Sequence, residues 1–324
     1  MTTPRVLIIG ISGQDGTYLA ELLLEKGYEV HGTSRDAESN TFVNLHRLGL
    51  MDRVTVHSAV PTDFRSVFQV VQRIAPEEIY NLSGQSSVGL SFDEPAETLQ
   101  SITLGTFNVL EAIRVIGTRI RFYNACSSDC FGNTDGKPAD ELTAFRPRSP
   151  YGVAKAAAFW AVANYRESYG LFACSGILFN HESPLRPARF VTRKIVSAAC
   201  RIAAGSDERL KLGNISIARD WGWAPEYVDA MWRMVQHDTP DDYVVATGCT
   251  STLEEFVAHA FRAVDLDWRD HVDSDANLLR PADLSVSAGD PAKAERVLGW
   301  RATRAMHDVV DAMIEAERAP WRRP

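Results

Sequence analysis

The sequence predicts an α/β fold, a doubly wound parallel sheet with a smaller, interleaved C-terminal domain. Short apolar, β-branched runs recur up to about residue 180 and alternate with segments of helical spacing. The first run ends in a glycine-rich loop that opens directly into a helical segment. Beyond about residue 180 the alternation stops, and Pro and Gly become frequent around 183–225. Such alternation means a parallel sheet covered by helices on both faces.

Taken in order, RVLII at 5–9 is the first strand and TYLAELLLEK at 17–26 the first helix, closed by Gly27. EVHGT (29–33), VTVH (54–57), EEIYNL (77–82), RIRFYNA (119–125) and FACSGIL (172–178) continue the sheet, most of them separated by helical stretches. RFVTRKIVSAACRIAAG then reads as a helix and RLKLGN as a short strand. DYVVATG (242–248) again has the form of a buried strand stopped by glycine. The chain is therefore expected to leave the first sheet and return to it. Residues 1–182 form the first domain, rejoined by 220–250 and the last helix, while 183–219 and 251–303 form the second.

A length of 324 residues favours two domains or one large domain with an added lobe. Hydrophobic residues at 45% and charged residues at 23% match an ordinary folded enzyme rather than a disordered or fibrous chain. The net charge of −8 disfavours nucleic acid and anionic membranes as partners, so any anion site must be focal. The cysteines at 126, 130, 174, 200 and 249 show no metal or redox spacing, which fits a reducing compartment. No apolar run approaches the roughly 18 residues of a membrane span, and the first is too short for a signal peptide. A cytoplasmic protein without a bound metal is expected.

Gly10, Gly13 and Gly16 lie between the first strand and the first helix. Without side chains there, the backbone can turn tightly and approach a pyrophosphate, whose charge the helix amides favour. In this context the loop predicts a Rossmann-type dinucleotide site. After the second strand, where an acidic residue would hold a ribose 2′-hydroxyl, the chain reads Thr33, Ser34, Arg35. Small hydroxyls and a guanidinium suit a 2′-phosphate, pointing to NADP, with NAD as the alternative because Asp36 follows at once.

Tyr151 and Lys155 stand four apart at the start of a helical segment and so share one face. An ammonium beside a phenol favours the phenolate and makes the tyrosine a usable base. The fifth strand ends in ACSSDCFG, which places Ser127, Ser128 and Asp129 at the top of the sheet beside a cofactor. Ser127 can hold a reacting oxygen there, and Asp129 can move a proton next to a carbonyl. Each fragment alone also reads as ordinary packing or turn chemistry.

Together these segments resemble the extended short-chain dehydrogenase/reductase family, in wording close to its GDP-mannose 4,6-dehydratase branch. GISGQDGTYLAELLLEKGYEVHG, YNLSGQSSVGLSF, RPRSPYGVAK, GILFNHESP, FVTRK, LGN, RDWG and ATG carry the resemblance, in that order, from about residue 5 to 318. It implies Ser127, Asp129, Tyr151 and Lys155 as the catalytic set, with Asp129 where the dehydratases carry glutamate. For the cofactor it implies Gly10, Ser12, Gly13, Gln14, Asp15, Gly16, Arg35, Leu82, Gln85, His181 and Arg186 beside Tyr151 and Lys155. The second domain then binds a GDP-sugar through Ser86, Asn180, Val191, Lys194, Leu212, Asn214, Arg219, Arg280 and Asp283. His181 and Glu182 face apart on regular structure and read as structural or as orienting the sugar rather than as a metal pair.

The activity so implied is a lyase reaction. A GDP-hexose of the manno series, GDP-mannose or a GDP-manno-heptose, becomes its 4-keto-6-deoxy derivative by internal redox, in a homodimer or homotetramer. Two other readings stay open. The first is an oxidoreductase acting at C4 alone, since Asp129 is one methylene shorter than glutamate. The second is a non-catalytic NAD(P)-binding regulatory protein on the same fold.

Overall fold

Val6, Leu7 and Ile8 are fully buried in strand β1 (Arg5–Ile9), as a two-sided parallel sheet requires. The computed structural model describes residues 3–117, 119–279 and 281–319. After β1 come α1 (Gln14–Glu25), β2 (Glu29–Ser34), α2 (Val43–Arg47), β3 (Thr55–Ser58), α3 (Phe64–Ile74) and β4 (Glu78–Asn81). The helices α4 (Val88–Asp93), α5 (Pro95–Leu99) and α6 (Gly105–Ile116) lead to β5 (Arg121–Ser127), α7 (Pro150–Tyr169) and β6 (Ala173–Leu178). All six expected strands of the first region therefore form.

The second region begins with β7 (Asn180–Glu182), α8 (Val191–Ala203), β8 (Leu210–Leu212) and β9 (Ala218–Trp223). It continues through α9 (Ala224–Gln236), β10 (Tyr243–Val245), β11 (Thr250–Thr252), α10 (Leu253–Arg262), β12 (Val272–Ser274) and β13 (Val286–Ser287). Two helices, α11 (Ala292–Leu298) and α12 (Met306–Arg318), close the chain.

Seven strands form one parallel sheet in the order β10-β6-β5-β4-β1-β2-β3. From β1 the chain proceeds outward to β2 and β3, then crosses to β4 on the other side. This reversal leaves a crevice above the carboxyl ends of β1 and β4, the usual place for a ligand in such a sheet. As expected, 242–248 returns to the large sheet: β10 pairs with β6. Arg166 of α7 grips Asp242 through Nη1 at 3.1 Å and Nη2 at 2.6 Å, and Asp242 also accepts from the Ser175 amide at 2.7 Å. The edge strand is thus tied down by a bidentate, largely buried ion pair.

In the smaller lobe β9 lies between β11 and β13 and also pairs with β7 further along, while β8 pairs with β12. The interleaving is deeper than the sequence indicates. The last helix, expected with the large sheet, instead packs its Val309, Val310 and Met313 against Ile195 and Val196 of α8 and Phe256 and Val257 of α10. Conversely, α11 falls inside a segment expected in the second domain, yet its Ala294 and Leu298 join the core around α9 and β10. Residues 218–223, expected partly in the first domain, form the central strand of the small sheet, and 180–182, also expected in the first domain, pair with it as β7. Amphipathic spacing shows that a helix has a buried face, but not which core receives it.

Candidate active site

The glycine loop sets the floor of the crevice. A Cβ on Gly16 would lie 2.4 Å from the Gly10 carbonyl oxygen and 2.7 Å from the Ile11 Cα, both backbone atoms, so only glycine fits there. Gly13 caps α1 without any side-chain hydrogen bond, leaving the first amides of a 12-residue helix directed at the crevice. Asn44 of α2 donates to the Ser12 carbonyl at 3.2 Å and steadies the loop. This cradle fits a nucleotide pyrophosphate.

Asp15 opens the wall toward the second lobe. Its Oδ2 accepts from His181 Nε2 at 3.0 Å, and His181 Nδ1 donates to the Phe179 carbonyl at 2.7 Å. Both ring nitrogens face acceptors, which requires the imidazolium. Burial opposes a charge on His181, but Asp15 outweighs it and raises the pKa. Burial likewise pushes the Asp15 carboxyl up, yet His181, Gln14 and Arg186 together pull it down to about 2. Gln14 donates to the His181 carbonyl at 3.1 Å and accepts from Ser183 at 2.8 Å, completing a lock between α1 and β7. The buried Glu182 pairs with Arg186 at 3.1 Å and accepts from Thr192 at 2.6 Å, so it faces away from His181, as adjacent residues on a strand do.

At the carboxyl end of β5, Ser127 donates to Asp129 Oδ2 at 3.3 Å and accepts from the Asp129 amide at 3.3 Å. Tyr151 stands in the first turn of α7, whose N-cap Ser149 accepts from the Gly152 amide at 3.0 Å. Gly152 is required by a close approach: its Cβ would come within 2.7 Å of the Asp129 carbonyl oxygen. One glycine beside Tyr151 thereby sets how near the turn bearing Asp129 can lie. Burial, then the Asp129 charge, hold the Tyr151 phenol well above its usual range, with the neighbouring Ser127 hydroxyl pulling the other way; the lowering expected from Lys155 is not seen in this arrangement. Lys155 is buried, which lowers its pKa, and its Nζ donates to the Ala125 carbonyl at 2.7 Å, 5.8 Å from the centre of the Tyr151 ring.

A cleft open to solvent gathers much of the expected set. Asp15, Leu82, Ser86, Ser127, Asp129, Tyr151 and Lys155 line it from the first domain. Asn180, His181, Arg186, Val191 and Arg219 line it from the second. An adjoining recess, which shares Asp129, Asn180 and Arg219 with the cleft, adds Asp283, which pairs with Arg219 at 3.1 Å. Arg280 lies outside the described residues.

Other expected residues stand apart from the lining. Arg35 is exposed, 3.8 Å from Glu97, at the mouth beyond β2. Gln85 uses its side chain on the Ser87 carbonyl and the Thr98 hydroxyl. Lys194 donates to the Lys211 carbonyl, and Asn214 accepts from Ser216 within its own turn. Leu212 is buried in the core of the second lobe, so only its backbone is offered to a ligand.

Sequence reasoning passed over Arg148, Thr192 and Trp221, which also line these spaces. Each sits inside one of the matching segments, RPRSPY, FVTRK or RDWG, and adjacency to those words was the available signal. Among the described residues no cluster of three or more His, Cys, Asp or Glu side chains has the arrangement to hold a metal ion. None of their helices is long and apolar enough to cross a membrane.

Residues 7–313 match the family model described as GDP-mannose 4,6 dehydratase. The chain belongs to the GDP-mannose 4,6-dehydratase family. GDP-mannose 4,6 dehydratase 2 of Arabidopsis thaliana is 45% identical over 322 residues, covering 96% of this chain and 86% of that protein. The GDP-mannose 4,6-dehydratase of Sinorhizobium fredii is 44% identical, covering 98% and 97%. In fold the chain is similar to dTDP-glucose 4,6-dehydratase of Streptomyces venezuelae, with a TM-score of 0.87 at 19% identity over 97% of each chain. Membership of the GDP-mannose 4,6-dehydratase family agrees with the resemblance carried by the sequence segments, and the shared fold agrees with the predicted Rossmann-type sheet.

Proposed function

We propose that the protein is an NADP-dependent lyase that removes water from GDP-mannose, giving the GDP-4-keto-6-deoxy sugar. The observation that carries this reading is the convergence of Ser127, Asp129, Tyr151 and Lys155 on one cleft in a chain of this family. The glycine cradle and the uncapped amides of α1 would hold the cofactor's pyrophosphate, with Arg35 near its 2′-phosphate. Bound NADP supplies a reversible hydride acceptor and a positive charge beside Tyr151.

With the cofactor's positive charge beside it, Tyr151 would accept the C4 hydroxyl proton, and Ser127, at the end of β5 in the same cleft, would hold the same oxygen. Lys155 keeps a cationic group at the carboxyl end of β5, anchored on Ala125. The resulting ketone acidifies C5, where Asp129 takes a proton and passes it to the departing C6 hydroxyl. The C6 hydroxyl leaves as water, the hydride lost from C4 would be returned at C6, and a proton exchangeable with solvent goes to C5, so that no net redox change occurs. Arg219 and Asn180 bring a cationic and an amide donor to the substrate's diphosphate side, and Arg186, held by Glu182, stands on the cofactor side. Assembly as a homodimer or homotetramer in the cytoplasm belongs to the same reading, and the exposed Leu104, Phe107, Val153 and Trp160 offer an apolar face for it.

Purified protein incubated with GDP-mannose in deuterated water is expected to yield a product lacking one water and carrying deuterium at C5. Stoichiometric consumption of added NADPH with no loss of water would favour the C4 oxidoreductase instead. Unchanged GDP-mannose at high enzyme concentration would sink the proposal.

A further inference from the structure

Strand β9 carries Arg219 and Trp221 into the cleft, and between them stands Asp220, with no solvent exposure at all. Alternation along the strand turns its carboxylate to the opposite face. There Oδ1 accepts from the Thr247 amide at 2.9 Å and the Thr247 hydroxyl at 2.8 Å, and Oδ2 accepts from the Gly248 amide at 2.8 Å. These donors belong to the turn between β10, an edge of the large sheet, and β11, which pairs with β9. One carboxylate therefore joins the two lobes at the strand that presents Arg219.

We propose that Asp220 is a positioning residue, whose ionised carboxylate clamps the 247–249 turn onto β9 and so fixes Arg219 where the substrate diphosphate binds. The inference rests on the GDP-sugar reading above.

Among the described residues Asp220 has no ion pair. Tyr227 and Glu226 of α9 and Glu182 of β7 face the region, and none is a cation. Neither β11 nor β13 carries an ionisable side chain, and the turn contributes Cys249. Burial raises the Asp220 pKa to about 6 against the hydrogen bonds from Thr247, Gly248 and Cys249.

The sign follows from this shift. Folding favours the protonated form, so the stabilising contribution is complete below the ordinary value of 3.8 and is lost as pH rises through about 6. The clamp runs in the opposite sense, because only the ionised form accepts at both oxygens. Substrate affinity and stability should therefore change in opposite directions across about pH 6.

The test uses Tyr151→Phe protein to halt turnover, GDP-mannose as the probe and calorimetry for Kd. In this parent, Kd is expected to weaken below about pH 6. Adding Asp220→Asn should weaken it on the order of 10- to 100-fold near neutrality, the scale of a lost charged hydrogen bond, and abolish the pH break. Thr247→Val keeps the backbone donors and covers the case in which Asp220→Asn does not fold. It should weaken Kd less and move the break upward, since a pKa-lowering hydrogen bond is gone.

Amide exchange at Thr247 and Gly248 gives a readout that needs no ligand and should accelerate in either variant. Unchanged exchange, unchanged Kd, or a pH break that persists in Asp220→Asn overturns the proposal. If GDP-mannose binds neither parent nor variant while exchange at the turn still responds, the substrate reading fails and the clamp itself stands.

Discussion

Replacing Asp15 by Asn removes the anion that keeps His181 charged, and the structure sets the size of the effect. The Asp15 pKa falls from 3.8 to about 2 on folding. At about 1.4 kcal/mol per pH unit this amounts to about 2.5 kcal/mol. About 22% of the side chain reaches solvent, so about 2 kcal/mol is the expected loss of stability near neutral pH. The sign is fixed at both ends. Asp15 is depressed, so its contribution is present above 3.8 and disappears as pH falls through about 2. His181 is raised, so its contribution is present below 6.5 and disappears as pH rises past its folded value. The two shifts describe one ion pair and count once. Urea unfolding of wild type and Asp15→Asn from about pH 5 to pH 9 should show a difference of about 2 kcal/mol at the acidic end that shrinks toward the alkaline end. A difference that stays constant across that range, or one below about 0.5 kcal/mol throughout, would refute the assignment of a charged His181.

Three further outcomes follow from the same geometry. Gly152→Ala places a methyl 2.7 Å from the Asp129 carbonyl oxygen and must push that turn away; kcat should fall about 100-fold with little change in Kd for GDP-mannose, as steady-state kinetics and calorimetry will show. Asp129→Asn removes the proposed proton carrier at C5 and should slow water loss by about 100-fold or more while substrate still binds, read as product mass against time. Asp242→Asn leaves Arg166 short of a buried anion and should cost about 3 kcal/mol in urea unfolding; a loss under about 1 kcal/mol would contradict the tie between β10 and α7.

The six strands of the first region were legible as short runs bounded by turn residues; β1, β4 and β6 are buried on both faces, whereas β3, at the sheet edge, is only half-buried and was marked by its β-branched residues and its place in the alternation. Gly16 and the Tyr151–Lys155 pair were legible for a similar reason. Their roles depend on neighbours within a few residues, where a helix or a tight loop sets the geometry locally. Ser127 and Asp129 were found by following β5 to its end, since a parallel sheet brings its carboxyl termini to one edge.

Contacts across long separations were decided by folding. No local pattern shows that His181 would meet Asp15 at 3.0 Å, or that Asp220 would reach Thr247 and Gly248. Leu212 and α12 show the same limit: the sequence marks them as apolar, and only packing selects the core that buries them. Hydrophobic burial is non-directional, so an apolar face states that it needs a partner and leaves the choice to the tertiary structure. Hence the proposed catalytic set was written in short segments, whereas the closing of the cleft by two interleaved lobes existed only once those segments had packed.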